Sequence, residues 1–523
     1  MPLQKIPFRN THAFSEFFLK YIEHDLSLQP FYSKFPEISN FKETISEKSK
    51  SFPESSRKVL VKSLELQYKN ISTPPGAVKS SIQSLLQKNT FTVTTGHQLS
   101  IFTGPLYFIY KIVTVINACK KLKAQYPEYN FVPVYWMASE DHDYEEIKSF
   151  RLYEKEYTWE TLQQGAVGRF HTKDFEKLFS QLPGNVSIFK EAYLKSSSLS
   201  DAVRIYVNAL FGEEGLVVID ADDHELKKLF HPVISQDLFS GVPNKLVKET
   251  NINLETLGFH PQVHPREVNL FYLDKNIRSR LERNETSYQV VDTDLKFTKK
   301  EIEKLIDEEP EKFSPNVILR PLYQEMILPN LAYVGGPAEL VYWLQLKSMF
   351  MHFQVPFPVL LPRNFALIID TPTQRKLAKT GLETLHFFEE KNYLFNNWVS
   401  KYSMHDLSLG GTLKVLEQQL NEIRERCAKI DPSLTQMVIA EGKKMQHALE
   451  KIEKKMLRAE KRLQSDKLRQ IEAVKETLFP NGGLQERTDN FLNFYQKDPD
   501  FIRKLLSAFD PFEFQMNVIS NHD

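Results

Sequence analysis

Cysteine is scarce: among 523 residues only Cys119 and Cys427 carry a thiol, far apart in the chain. That excludes a disulfide-stapled scaffold and a thiolate-only zinc site. Long apolar runs are lacking too. None approaches the ~20 residues that span a bilayer, and the richest stretch, Phe357 to Asp370, is broken by Pro358, Pro362, Arg363 and Asn364. Met1 to Pro7 hold no apolar core of signal-peptide length, so the expected compartment is the cytoplasm, with no membrane partner. Net charge is absent, with 67 basic side chains against 67 acidic ones. A balanced chain exerts no bulk pull on nucleic acid, and no such partner is expected. Three catalytic signatures are missing as well. No Gly-Lys-Ser/Thr follows Gly335-Gly336, so there is no Walker loop, and neither G-x-S-x-G nor H-E-x-x-H occurs.

What is present suffices for a large core: 41% of residues are hydrophobic and 12% aromatic. Domains of roughly 100–200 residues give about three structural units. Residues 1–88 read as mostly helical, with proline loops such as Thr73-Pro74-Pro75-Gly76. Thr90 to Thr95 is β-branched and aromatic and reads as a buried strand bounded by Gly96. Gly104-Pro105 then opens a helix, whose apolar face carries Ile109, Ile112, Val113, Ile116 and Leu122. Phe131 to Ala138 is the next strand. This βαβ order predicts an α/β protein with a parallel sheet. Leu216 to Asp220 reads as a further strand, and Val359–Leu361 and Ala366–Ile369 as additional ones. The core is placed at 89–390, with insertions near 151–210 and 240–310.

The C-terminal third changes period. Leu413, Leu416, Leu420, Ile423, Cys427 and Ile430 recur at steps of 3, 4, 3, 4 and 3, and Met445, Leu449, Ile452, Met456, Ala459 and Leu463 at 4, 3, 4, 3 and 4. These are heptad rhythms separated by Asp431-Pro432, which predicts an antiparallel coiled-coil hairpin over 391–483. A second arm of about 45 helical residues reaches roughly 65 Å. The charge run Glu450 to Arg462 mixes both signs and reads as a solvated helix face. The aromatic tail, 484–523, is expected to return to the core.

Three loci carry chemistry. Gly96-His97-Gln98 ends a strand, where ligands of open α/β sheets bind. Glycine admits close backbone approach, and the histidine can donate to developing phosphate charge. Glu140-Asp141-His142-Asp143 crowds three acids at the next strand end, suited to an ammonium group, general base work or a metal. The competing reading is a helix N-terminus, which favours acids; it applies more strongly to Asp222-Asp223-His224. The third locus joins Arg320, whose fork suits phosphate or carboxylate, to Gly335-Gly336-Pro337, a helix start able to hold an anion.

The runs TTGHQLSIFTGPLYFIYKIVTVI (Thr94 to Ile116), VYWMASEDHDYEEI (Val134 to Ile147), SPNVILRPLYQE (Ser314 to Glu325) and GGPAELVYW (Gly335 to Trp343), followed by the coiled coil, resemble the BshC family, the cysteine ligases of bacillithiol synthesis. The resemblance spans essentially the whole chain. It implies a Rossmann-like core related to nucleotidyltransferases, whose H-x-G-H signature falls on Thr94-Thr95-Gly96-His97, and a coiled coil used to form a homodimer. It implies L-cysteine and glucosaminyl-malate as substrates, joined by an amide bond after carboxyl activation by ATP. On this basis His97, Gln98, Asp141 and Asp143 are expected to be catalytic. Gly96, Glu140, His142, Arg320, Gln324 and Glu325 are expected to bind substrate, and Thr95, Gly96, His97, Gly335 and Gly336 the nucleotide. No metal ligands are assigned. The rival expectations are an adenylate-forming enzyme with another substrate and an inactive coiled-coil scaffold.

Overall fold

The computed structural model describes residues 3–69, 71 and 75–520, so Thr73 and Pro74 of the expected proline loop lie outside the described residues. Five parallel strands form the centre: β1 (Thr90–His97), β2 (Asn130–Met137), β3 (Val217–Asp220), β4 (Asn330–Gly335) and β5 (Val359–Pro362). Their spatial order is β3-β2-β1-β4-β5, with every neighbouring pair parallel. The chain moves outward from β1 to β3, then crosses back to begin β4 on the other side of β1. This reversal is the topological switch point, where the loops beyond the carboxyl ends part and leave a crevice.

β1 is buried from Thr90 to Gly96; Phe91 and Val93 supply one apolar face, while on the other the Thr92 and Thr94 hydroxyls donate to Asn330 Oδ1 at 3.1 and 2.8 Å. The expected end at Thr95 is two residues short. Gly96 and His97 stay in the ladder, opposite Trp136 and Met137, because Gly96 keeps an ordinary extended backbone. α1 spans Tyr107–Gln125. It starts after Pro105 and not at it, since Phe102, Thr103 and Gly104 form a left-handed turn with φ of 50°, 71° and 61°. The five apolar residues expected on its inner face are all buried, each worth roughly 1.5–3 kcal/mol.

The link from β2 to β3 holds a hairpin, Ser149–Leu152 against Lys155–Thr158, and a run of helices. The link from β3 to β4 holds an antiparallel sheet that begins with Leu270–Asp274 and Ile277–Arg283 and is closed by Phe313–Pro315. α2 (Arg320–Ile327) then precedes β4, and α3 (Pro337–Trp343) follows it. Phe365–Ile369 is a strand, as read from the sequence, but it leaves the central sheet. It pairs with Gln515–Ser520, whose other edge takes Leu3–Pro7. The tail thus returns to the core with Phe491, Phe501 and Phe509 buried.

α4 (Gly410–Ile430) and α5 (Leu434–Leu463) form the antiparallel hairpin. Gly442 sits at their crossing, where a Cβ would lie 2.8 Å from Leu420 Cδ1. The second arm is not continuous as expected. It breaks at Gln464, and α6 (Ser465–Leu478) runs back to the core with Leu468, Ile471, Val474 and Leu478 buried. The cause is in the spacing: Leu463 to Leu468 is a step of five, outside the 3–4 rhythm that keeps one face apolar. Along the hairpin itself Val415, Ile423, Met445 and Ile452 are about half exposed. Among the described residues, no helix is long and apolar enough to cross a membrane.

Candidate active site

Beyond the carboxyl ends of β1 and β4 lies a cavity of about 360 Å³. Gly96, His97 and Gln98 enter it from β1, Glu140 and Asp141 from the loop after β2, and Arg320 from α2. A Cβ on Gly96 would stand 3.3 Å from the Tyr333 hydroxyl and 3.6 Å from Arg320 Nη1. Its carbonyl accepts from Lys111 Nζ at 2.7 Å. Lys111, 3% exposed, also pairs with Glu339 at 2.6 Å. Glu339 in turn accepts from the Tyr333 hydroxyl and the Gly336 N–H, both at 2.7 Å. One lysine and one glutamate thereby tie together the ends of β1, α1, β4 and α3. Burial pushes the Lys111 pKa down, with Glu339 opposing.

His97 packs against the Phe108 and Tyr107 rings, with centroids 5.1 and 5.2 Å away. Burial, reinforced by the Lys111 charge, pushes its pKa down to about 3. The imidazole is therefore neutral near pH 7, able to donate a hydrogen bond but not to supply charge. The Gln98 amide donates to Asp141 at 2.7 Å and to Glu146 at 3.3 Å. Asp141 also accepts from Arg278 Nη1 at 3.1 Å and from the His142 N–H at 2.7 Å. Although burial works the other way, His142, Arg278 and Gln98 hold its carboxyl well below the usual range. Glu140 pairs with Lys227. Burial pushes Glu140 up to about 7 despite that pairing. The half-buried Arg320 guanidinium lies among the Trp136, Tyr333 and Trp343 rings at 5.5 to 5.9 Å, with no carboxylate of the described residues in salt-bridge range.

Several expected site residues stand elsewhere. The Thr95 hydroxyl donates to the Val334 carbonyl at 2.7 Å inside the sheet, and Thr95 does not line the cavity. Gly335 serves helix packing, since a Cβ there would meet Leu340 Cδ2 at 2.8 Å. Gly336 lines the cavity, but its N–H is capped by Glu339, so this helix start is not an open anion site. Glu325 is deeply buried, paired with Lys48 at 3.3 Å and bonded by Asn330 at 2.6 Å. Gln324 bridges it to Arg320, accepting from Arg320 at 3.1 Å. Its place is behind the arginine, outside the cavity lining. His142 is exposed beside Arg278, at 2.7 Å. Asp143 is exposed and caps the turn Tyr144–Ile147 through the Glu146 N–H at 3.2 Å. Helix capping, not substrate, accounts for this acid. Asp223 likewise caps His224–Lys228, and Asp222 pairs with Arg169 at 2.7 Å.

The sequence reading missed Lys111, Arg278, Arg363 and Arg487, which also line the cavity. Lys111 had a signal, as the lone charge in the apolar run FIYKIVTV. Arg278 and Arg487 had none, being brought in by distant elements. The clearest mark of a ligand site is polar bookkeeping. His97 Nε2, Gln98 Oε1, Arg320 Nη2 and Arg363 Nε are buried, belong to lining residues and have no hydrogen-bond partner among the described residues. Leaving such an atom unsatisfied costs about 1–3 kcal/mol. Their grouping around one cavity fits a polar ligand that takes up all of them. Among the described residues, no group of three or more His, Cys, Asp or Glu is arranged to hold a metal ion.

A parallel sheet in the order 3-2-1-4-5, with a polar cavity at its switch point, defines a Rossmann-like α/β protein. The chain belongs to the BshC family. The family model described as "Bacillithiol biosynthesis BshC, N-terminal Rossmann-like domain" matches residues 1–364, and that described as "Bacillithiol biosynthesis BshC, C-terminal coiled-coil domain" matches residues 366–521. A relative from Flavobacterium psychrophilum, named "Putative cysteine ligase BshC", is 40% identical over 100% of both chains. Relatives of the same name from Flavobacterium johnsoniae and Cytophaga hutchinsonii are 40% and 38% identical. Each covers 99% of this chain, and the match spans 100% and 98% of the relative respectively.

Proposed function

We propose that the protein is a cytoplasmic ligase joining the carboxyl group of L-cysteine to the amine of glucosaminyl-malate, the last step of bacillithiol synthesis. The names of its full-length relatives support cysteine as substrate. The observation that carries the reading is the set of four unsatisfied polar atoms around the switch-point cavity. They comprise donors on Arg320 and Arg363, a neutral His97 and an acceptor on Gln98, a mixture suited to a zwitterionic amino acid and an anionic sugar.

A free carboxylate does not condense with an amine unaided, so ATP as co-substrate supplies the activation. His97, Gln98 and Gly96 line its reacting end: Gly96 admits close approach, and His97 donates without a fixed charge. Amide formation then requires the amine nitrogen to attack the acyl carbon, the leaving group to depart with its electron pair, and one proton to leave nitrogen. Glu140, raised to about 7, is matched to accept that proton. Asp141, kept ionised, is a poor base and serves to hold the amine. Arg320 takes an anion of the substrate.

The same reading includes a homodimer through the hairpin, whose half-exposed seam is worth about 25 cal/mol per Å² once covered. The free seam is Leu413 to Leu463, because α6 is already covered by its own chain. The test is incubation of purified protein with cysteine, glucosaminyl-malate and ATP, followed by mass spectrometry. Product that forms equally well without ATP sinks the activation step. No product from the complete mixture sinks the substrate assignment.

A further inference from the structure

The cavity's charges do not balance. Glu140 is matched by Lys227, Asp141 by Arg278 and Glu339 by Lys111, while Arg363 is engaged by Glu486. Glu146, at the rim, is held by the Gln98 amide at 3.3 Å. Two lining guanidiniums have no acidic partner among the described residues: Arg320 and Arg487. Arg487 comes from the turn Gln485–Thr488, just after the coiled coil, and is exposed at the cavity.

That turn is rigidly placed. The Gln485 amide bonds the Ile368 N–H and carbonyl at 2.9 and 3.1 Å. Glu486, 1% exposed, pairs with Arg363 and accepts from the Ala366 N–H at 3.3 Å. The Asn490 amide donates to the Phe102 and Gly104 carbonyls at 2.8 and 2.6 Å, gripping the left-handed turn that follows β1. Buried side chains thus fix the backbone on both sides of Arg487, which lines this cavity and also the neighbouring one beside Phe14 and Phe365.

We propose that Arg487 is a substrate-binding residue which, with Arg320, gives the cavity two separate anion sites and so selects a ligand bearing two carboxylates. The inference rests on the ligase reading, in which that ligand is the malate portion of the acceptor. It also makes the C-terminal region part of the active site. A hydrogen bond to a charged group contributes about 1.5–3 kcal/mol, and an exposed one lies at the low end, close to tenfold in affinity.

Calorimetric titration of wild type, Arg320→Ala, Arg487→Ala and Arg487→Lys with L-malate and with glucosaminyl-malate tests this, alongside the KM for each of the three substrates. Arg487→Ala is expected to weaken both carboxylate ligands about tenfold, to leave the KM for cysteine unchanged, and to melt with the wild type. Arg487→Lys restores part of the loss, because lysine keeps the charge but not the fork. L-malate is the probe independent of the ligase reading. Equal malate binding by wild type and Arg487→Ala, or none by the wild type, overturns the proposal. So does a rise in the KM for ATP in place of that for the acceptor, which assigns Arg487 to phosphate. Malate binding that depends on Arg487, with no ligation, upholds the site and overturns the ligase reading instead.

Discussion

Replacing Gly96 by alanine places one methyl group at the wall of the cavity. The glycine has no left-handed backbone, so alanine is conformationally allowed there. The new Cβ would lie 3.3 Å from the Tyr333 hydroxyl, 3.6 Å from Arg320 Nη1 and 3.9 Å from the Trp136 carbonyl. The Tyr333 hydroxyl is anchored to Glu339 at 2.7 Å and yields only by straining that bond. Overpacking of this kind costs about 1–3 kcal/mol, while removing glycine from the unfolded chain returns about 0.4–1 kcal/mol. The net loss of stability is expected to lie between about 0 and 2.6 kcal/mol. Catalysis is a different matter: displacing a reacting group by about 1 Å lowers rate about 100-fold. Gly96→Ala is therefore expected to lose about two orders of magnitude in kcat/KM while remaining folded under the assay conditions. The assays are ligation kinetics and denaturant unfolding followed by circular dichroism. Activity within twofold of wild type would refute the argument that substrate approaches the β1 backbone at Gly96.

Lys48→Ala strands Glu325, whose side chain is 0% exposed, and is expected to destabilise the fold by about 3–5 kcal/mol in urea unfolding; a change under 1 kcal/mol contradicts the buried pair. His97 titrates near 6.5 when unfolded but at about 3 in the fold. The unfolded chain therefore binds the proton first, and the stability that His97 contributes, fully present above pH 6.5, is lost as pH falls towards 3. His97→Gln is expected to flatten that acid dependence, and identical slopes for the two proteins refute the neutral imidazole. Ile423→Glu with Ile452→Glu puts charge on the hairpin seam and is expected to turn a dimer into a monomer in light scattering with helix content unchanged. A wild-type monomer at micromolar concentration contradicts the seam.

The elements legible in the sequence were those whose local chemistry agrees with their final environment. TFTVTT and FVPVYWMA are rich in β-branched and aromatic residues, which suits strands covered on both faces. The heptad rhythm of α4 and α5 is likewise a local property, and the break at Gln464 was present as the five-residue step. The order of the strands was not legible, since it depends on the crossing to β4 after the whole antiparallel insertion. At the site, Gly96, His97, Gln98, Glu140 and Asp141 converge as their placement at strand ends suggested, and Arg320 joins them from α2. Asp143 caps a helical turn outside the cavity lining, and an N-cap acid and a catalytic acid look alike in sequence. Glu325 misled because its partner, Lys48, lies in the N-terminal helices, beyond any local pattern. Arg278 and Arg487 reach the cavity only through tertiary folding.

The central claim is that one cavity at the switch point receives the substrates through the unsatisfied groups of His97, Gln98, Arg320 and Arg363. A crystal structure of the full chain soaked with glucosaminyl-malate tests it most directly. The account expects the ligand beyond the ends of β1 and β4, with a carboxylate bonded to Arg320 Nη2 and its amine facing Glu140 and Asp141. Density for the ligand elsewhere on the chain, with those groups untouched, would contradict it.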